Sequence, residues 1–154
     1  MTSVTIRPAR VDDAPLVACL LGDLGSPTMA ASAAERLRLL AGTGSDPVFL
    51  ALADDGASGL LALHVTRMLH LEAPIARITV LVISEGARGR GIGTRLIETA
   101  IRHAESEGCA SLELTSGLAR KEAHAFYAAK GFTNTSLKFQ CKVEAGDGSK
   151  LRRR

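Results

Sequence analysis

Three glycines and three arginines crowd the octapeptide Arg88-Gly89-Arg90-Gly91-Ile92-Gly93-Thr94-Arg95. Glycine lets backbone N–H groups approach an anion with no Cβ in the way, and guanidinium groups add fixed positive charge. The chemistry such a stretch supports is the binding of a diphosphate. Its flanks supply a frame. Val80 to Ile83 is a short apolar run of the kind a buried strand uses, and Ser84 to Ala87 is a polar turn. From Ile92 onward, Ile92, Leu96, Ile97, Ala100, Ile101 and Ala104 recur at helical spacing. The glycines therefore lie between a strand end and a helix start, where unpaired N–H groups and a partial positive charge converge.

Spacing excludes two other phosphate loops. A dinucleotide fingerprint begun at Gly89 and Gly91 needs its third glycine where Thr94 stands. A nucleoside-triphosphate loop ends in Gly-Lys-Ser/Thr, and no lysine occurs from Val80 to Leu96. What remains is Arg-x-x-Gly-x-Gly, carried by Arg88, Gly91 and Gly93. Here the chain resembles the GNAT superfamily of acetyl-CoA-dependent N-acetyltransferases, whose phosphate motif is Gln/Arg-x-x-Gly-x-Gly/Ala between a strand and a helix. A second stretch, Phe126-Tyr127-Ala128-Ala129-Lys130-Gly131-Phe132, resembles that family's motif of an aromatic-Tyr pair a helical turn before Gly-Phe. The pair is far more specific than either motif alone.

The elements around these motifs follow from periodicity and turn residues. Val4 to Arg7 reads as a first strand, then a helix capped by Asp12 or Asp13 runs to about Leu24, and a second covers Ser32 to Leu40. Pro47–Ala53 and Leu60–Met68 read as antiparallel strands across Asp54-Asp55-Gly56. Ile75–Ile83 is a fourth strand, and the helix after the glycines ends at Gly108. Ser111–Thr115 is a fifth strand, parallel to the fourth because a helix joins them. Arg120–Lys130 is a helix closed by Gly131, and Thr133–Leu137 and Phe139–Val143 read as two last strands. The expected fold is an α/β (α+β, mixed-sheet) GNAT-like domain of about seven strands and four helices over residues 1–144. Strands four and five are parallel and splayed, and residues 145–154 form a basic C-terminal tail.

The resemblance implies roles. Amides of a pantetheine arm pair with the backbone of Leu81, Val82 and Ile83, extending the sheet. The pyrophosphate rests on Arg88, Gly89, Arg90, Gly91, Ile92, Gly93 and Thr94, and an N–H near Val82 faces the thioester oxygen. Tyr127 is the catalytic residue, the general acid that protonates the departing thiolate. The amine attacks directly, without an acyl-enzyme. Two positions depart from the family. Thr79 stands where many members carry a glutamate base, leaving Glu72, His70, Glu113 and His124 as replacements, and Arg120 stands where an Asn often holds the cofactor arm, a role Ser116 could share. A CoA-binding regulator without turnover is the alternative reading.

Composition sets the remaining bounds. Of 154 residues, 46% are hydrophobic but only 3% aromatic, so Leu, Val, Ile and Ala must fill the core. The three cysteines, Cys19, Cys109 and Cys141, are odd in number and widely spaced, which points to a reducing, cytoplasmic setting. The four histidines show no metal-ligand spacing, and no metal is expected. Arg7, Arg10, Asp12 and Asp13 break up any signal-peptide core, and no apolar run approaches the roughly 18 residues of a membrane span. The net charge of +3 comes from Lys150, Arg152, Arg153 and Arg154; without them the chain is nearly neutral. Nucleic acid and membrane are therefore not expected as partners. Acetyl-CoA and an amine acceptor are, with the acceptor chosen by the helices between Asp12 and Gly42 and by Met68–Pro74, and family habit allows a homodimer.

Overall fold

The computed structural model describes residues 3–56 and 58–144. Five strands form one sheet in the order β1-β2-β3-β4-β5: β1 (Val4–Pro8), β2 (Val48–Ala53), β3 (Ser58–Thr66), β4 (Ile75–Ile83) and β5 (Ser111–Leu114). The first four are antiparallel meanders, and Asp54-Asp55-Gly56 turns β2 into β3 with Gly56 at a φ of 85°, a conformation glycine takes without strain. β5 lies parallel to β4, as the intervening helix requires.

Helices cover both faces. α1 (Ala14–Leu24) and α2 (Ala30–Ala41) lie on one, where Val17, Leu20, Ala33 and Leu37 bury against Leu50, Leu60 and Val82. A short 3₁₀ turn, Val11–Asp13, leads into α1, Pro15 sits in its first turn, and Gly25 ends it at a φ of 95°. α3 (Ile92–Ser106) lies on the other face, with Ile92, Leu96, Ile97 and Ala100 against Leu61, Leu63 and Ile78. α4 (Lys121–Ala129) follows β5 and ends as expected: Gly131 N donates to Ala128 O at 3.1 Å and Phe132 N to Tyr127 O at 3.0 Å.

Among the described residues the sheet has five strands, not the seven expected. Thr133–Leu137 and Phe139–Val143 form no strand, and Leu137, Phe139 and Val143 are 74%, 88% and 84% exposed. Alternation makes a strand only where an edge accepts its hydrogen bonds, and among the described residues these find none. The basic tail, 145–154, lies outside the described residues. No helix among the described residues is long and apolar enough to cross a membrane.

Candidate active site

Leu63 pairs with Ile78 and Ala62 with Val80, so Thr79 is an extra residue in β4 with no counterpart on β3. Such a bulge bends its strand. The Thr79 hydroxyl donates to Ala62 O at 3.2 Å, filling an acceptor at the irregularity. On the other side, the ladder to β5 ends with Ile78 opposite Leu114, while β4 continues to Ile83. Beyond that point the two parallel strands part around a cavity of about 60 Å³. Thr79, Val80 and Leu81 line it from β4, and Leu114 and Thr115 from β5. Leu24 reaches it from the α1 face, and Tyr127 and Arg120 from the α4 end. The gap is thus bordered from both faces of the sheet.

A larger cavity of about 270 Å³ lies between the end of α2 and the start of β2, away from the glycine loop, lined by residues such as Leu37, Ala41, Asp46 and Val48. Size does not make it the site. Its one titratable group, Asp46, is already held by Thr43, Ser45 and His64 at 2.6, 2.9 and 2.7 Å.

Backbone alternation decides which amides face the gap. Ser84 N donates to Ser58 O at 2.8 Å, so the N–H groups of Val82 and Val80 turn to β3, and those of Leu81 and Ile83 turn to the open side. Val82, expected near this point to offer an amide, instead points its N–H at β3 and buries its side chain against the α1–α2 core.

The glycine loop has the geometry its composition implies. Gly86, Gly89 and Gly91 have φ values of 80°, 78° and 80°, which side chains rarely adopt. No side chain caps α3, so the N–H groups of Ile92, Gly93 and Thr94 stand unclaimed at its start. Arg88 and Arg95 are exposed and make no ion pair among the described residues. Arg90 differs: it is bonded to Asp55 in the β2–β3 turn at 2.5 Å. Gly93 has a second reason to be glycine, because a Cβ there would stand 3.3 Å from Phe126 Cζ. It lets α4 pack on the first turn of α3.

Tyr127 is half-buried, its ring edge-on to Phe126 and Phe132 at centroid distances of 5.5 and 5.8 Å. Its hydroxyl makes no hydrogen bond among the described residues. Burial raises the phenol pKa, and the positive charge of Arg120 partly opposes that. Ser116, one residue past Thr115, has a buried hydroxyl oxygen with no partner. A buried polar atom left unpaired beside a cleft fits a ligand that brings its own hydrogen-bonding group, such as a pantetheine amide.

The four replacement bases are not gathered at the gap. Glu113 is tied to Arg77 across β4 and β5, and the His124 ring is 2.8 Å from Gly117 O, bracing the loop before α4. His70 and Glu72 are exposed in the turn before β4, at the far end of that strand from Ile83. Sequence reasoning missed Leu24, Ile78, Val80, Leu114 and Thr115 as cavity walls, and Asp55 as the partner of Arg90. The apolar walls carry no chemical signal in their type or spacing. Asp55 carried one, a carboxylate in a tight turn, but only the fold brings it beside residue 90. Among the described residues, no three His, Cys, Asp or Glu side chains gather as a metal site would need.

Residues 22–132, from within α1 to the end of the α4 cap, match the acetyltransferase (GNAT) family. The chain belongs to the GNAT family. It is 32% identical over 90 residues to aminoalkylphosphonate N-acetyltransferase of Salmonella typhimurium, an alignment covering 58% of each chain. It is 29% identical over 107 residues to glucosamine 6-phosphate N-acetyltransferase 1 of Oryza sativa subsp. japonica, covering 66% of this chain and 62% of that one. The chain therefore matches less than two thirds of the length of these GNAT relatives. Among solved structures, a transcriptional regulator from Bacillus halodurans C-125 superposes with a TM-score of 0.84 at 24% identity, covering 92% of this chain and 100% of that one. That likeness speaks for the GNAT fold alone. GNAT enzymes are acyltransferases that use acetyl-CoA as co-substrate.

Proposed function

We propose that this chain is an N-acetyltransferase that moves the acetyl group of acetyl-CoA directly to a primary amine of a small molecule or peptide. The observation that carries the reading is the parting of β4 and β5 beyond Thr79, with Tyr127 at the gap and the glycine loop at the end of the same strand. Acetyl-CoA supplies an activated acetyl thioester. The free N–H groups of Ile92 to Thr94, with Arg88 and Arg95, hold a diphosphate, and the open-side amides of Leu81 and Ile83 hold the pantetheine arm as an added strand would. Ser116 Oγ and Arg120 steady that arm from the β5 side. The Tyr127 hydroxyl keeps its proton at neutral pH and gives it to the leaving sulfur, a workable transfer from a phenol of pKa ~10 or above to a thiol near ~8.5.

Thr79 cannot take a proton from the amine, and no carboxylate lines the gap. An alkylamine of pKa ~10.4 gives up about 4.6 kcal/mol to be neutral at pH 7, against about 1 kcal/mol for an α-amine near ~7.7. The preferred acceptor is therefore a weakly basic amine, and the names of the relatives supply both arms of a panel, an amino-sugar phosphate as the weakly basic amine and an aminoalkylphosphonate as the strongly basic contrast. The absence of a base also favours the alternative, a CoA-binding regulator. Three free cysteines fit a reducing, cytoplasmic setting. Acetyl-CoA titrated by calorimetry, followed by thiol release across an amine panel, tests the reading. Binding with turnover upholds it; binding without turnover on any amine leaves the regulator; no binding rejects both.

A further inference from the structure

Arg120 caps the start of α4 and Tyr127 lies near its end, a spacing of about two helical turns that sets both on one side of the helix. Both reach the gap between β4 and β5. The stem of Arg120 runs over Gly117, where a Cβ would stand 3.7 and 3.8 Å from its Cγ and Cδ, and His124 Nε2, 2.8 Å from Gly117 O, braces that support. Among the described residues the Arg120 side chain makes no ion pair and no hydrogen bond. It is the only charged side chain that lines the gap, for β4, β5 and α1 contribute apolar side chains and two threonines, Thr79 and Thr115. Of the charged neighbours, Glu113 on β5 is tied to Arg77, Asp23 on α1 is exposed outside the lining, and the Lys130 ammonium lies 5.7 Å from the centre of the Phe126 ring. We propose that Arg120 is a second catalytic residue of the acetyl transfer, its guanidinium stabilising the negative charge that the departing sulfur and the Tyr127 oxygen carry in turn.

The proposal rests on the acetyl-transfer reading of this site and adds to it. When the C–S bond breaks, its electron pair goes to sulfur. The Tyr127 proton follows and makes the thiol. The phenolate left behind recovers a proton from solvent, which receives the one the amine sheds on becoming an amide. Negative charge thus passes from sulfur to the phenol oxygen, and one fixed cation at the gap favours both stages. The phenol already registers that cation: burial raises the Tyr127 pKa, and the charge of Arg120 opposes the rise. A neutral amide at residue 120 would steady a pantetheine arm as well, but only a cation offsets charge. The apolar walls strengthen the effect by keeping the gap poor in screening water.

Tyr127 is the only tyrosine in a chain with no tryptophan, so near-ultraviolet absorbance follows its ionisation alone. In the free chain, Arg120→Gln should move the Tyr127 midpoint to higher pH, and Arg120→Lys should leave it near that of the unmutated chain. With saturating acetyl-CoA and amine at neutral pH, Arg120→Gln should lower kcat about ten- to a hundredfold while the acetyl-CoA KM stays within about threefold, and Arg120→Lys should regain most of the loss. An unmoved midpoint, a raised KM with kcat intact, or an equal loss of kcat in both variants overturns the proposal and leaves Arg120 to hold the arm. Failure of the unmutated chain to acetylate any amine overturns the acetyl-transfer reading itself, and the proposal with it.

Discussion

The guanidinium of Arg90 meets the Asp55 carboxylate at 2.5 Å, joining the glycine loop to the β2–β3 turn. Of the three arginines near the proposed diphosphate site, this one is already paired, and its partner adds negative charge where an anion must come. Both side chains are partly exposed, so the pair itself contributes at most about 1 kcal/mol. Asp55→Asn should therefore tighten acetyl-CoA binding about two- to fivefold, with melting temperature nearly unchanged. Calorimetric titration of both proteins at one ionic strength measures this; weaker binding by the variant would mean that Asp55 shapes the loop.

Tyr127→Phe keeps the ring contacts with Phe126 and Phe132 and removes only the proton. kcat should fall at least about tenfold with acetyl-CoA affinity little changed. The sign of the pH dependence follows from the raised phenol pKa: the proton donor is intact at neutral pH and is lost only above pH ~10. A variant with unaltered kcat returns the tyrosine to a packing role.

Gly59 opens space for the start of α3. A Cβ there would stand 2.9 Å from Leu96 Cδ1 and 3.0 Å from Ile92 Cγ2, both buried side chains. Gly59→Ala should cost about 1–3 kcal/mol, read by denaturant unfolding, because the first turn of α3 must shift or Leu96 must leave its rotamer.

Asp13 accepts two bonds from Arg7, each of 2.8 Å, and one from Arg10 N at 2.6 Å. The Arg7 hydrogen bond lowers its pKa most, against burial, with the Arg10 N–H adding to the effect. A carboxylate whose folded pKa lies below its unfolded value stabilises the fold above about pH 4 and loses that contribution as pH falls through the folded value. Asp46 acts in the same sense: burial works to raise its pKa, but bonds from Thr43, Ser45 and His64 outweigh it. Asp13→Asn should lose about 1–2 kcal/mol at pH 7, and its stability should fall less steeply than wild type between pH 5 and 2. Equal losses at both ends would assign the effect to packing.

The glycine loop was legible because its residue types do one thing well: positive φ, no Cβ and flanking charge leave few other uses for Gly86 to Gly91. The α4 cap was legible from Gly131-Phe132 for the same local reason. The last two strands misled because alternation reports which side of a segment is apolar, while a ladder depends on an edge that local sequence does not describe. The replacement bases failed for a related reason. Glu113 and His124 have suitable chemistry, but Arg77 and Gly117 O, far away in sequence or acting through backbone, hold them elsewhere. Of the run Leu81 to Ile83, the open-side amides belong to Leu81 and Ile83 and not to Val82, since the direction of each amide is set by β3 and its bonds, which the run Val-Leu-Val-Ile does not encode.

The supernumerary Thr79 also reverses the phase of its strand. Ile78 packs under α3, whereas Val80, two residues on, packs under α1, so side chains of equal parity look to opposite layers across that point. Deleting the single codon would place Val80 directly after Ile78 in an unbroken zigzag, in which Leu81 and Ile83 still meet α3 and Val80 and Val82 still meet α1, so both layers survive while the bend is lost. The surplus residue therefore serves the opening for ligands and not the packing of either layer, and its loss should leave the core standing while drawing the two parallel strands together.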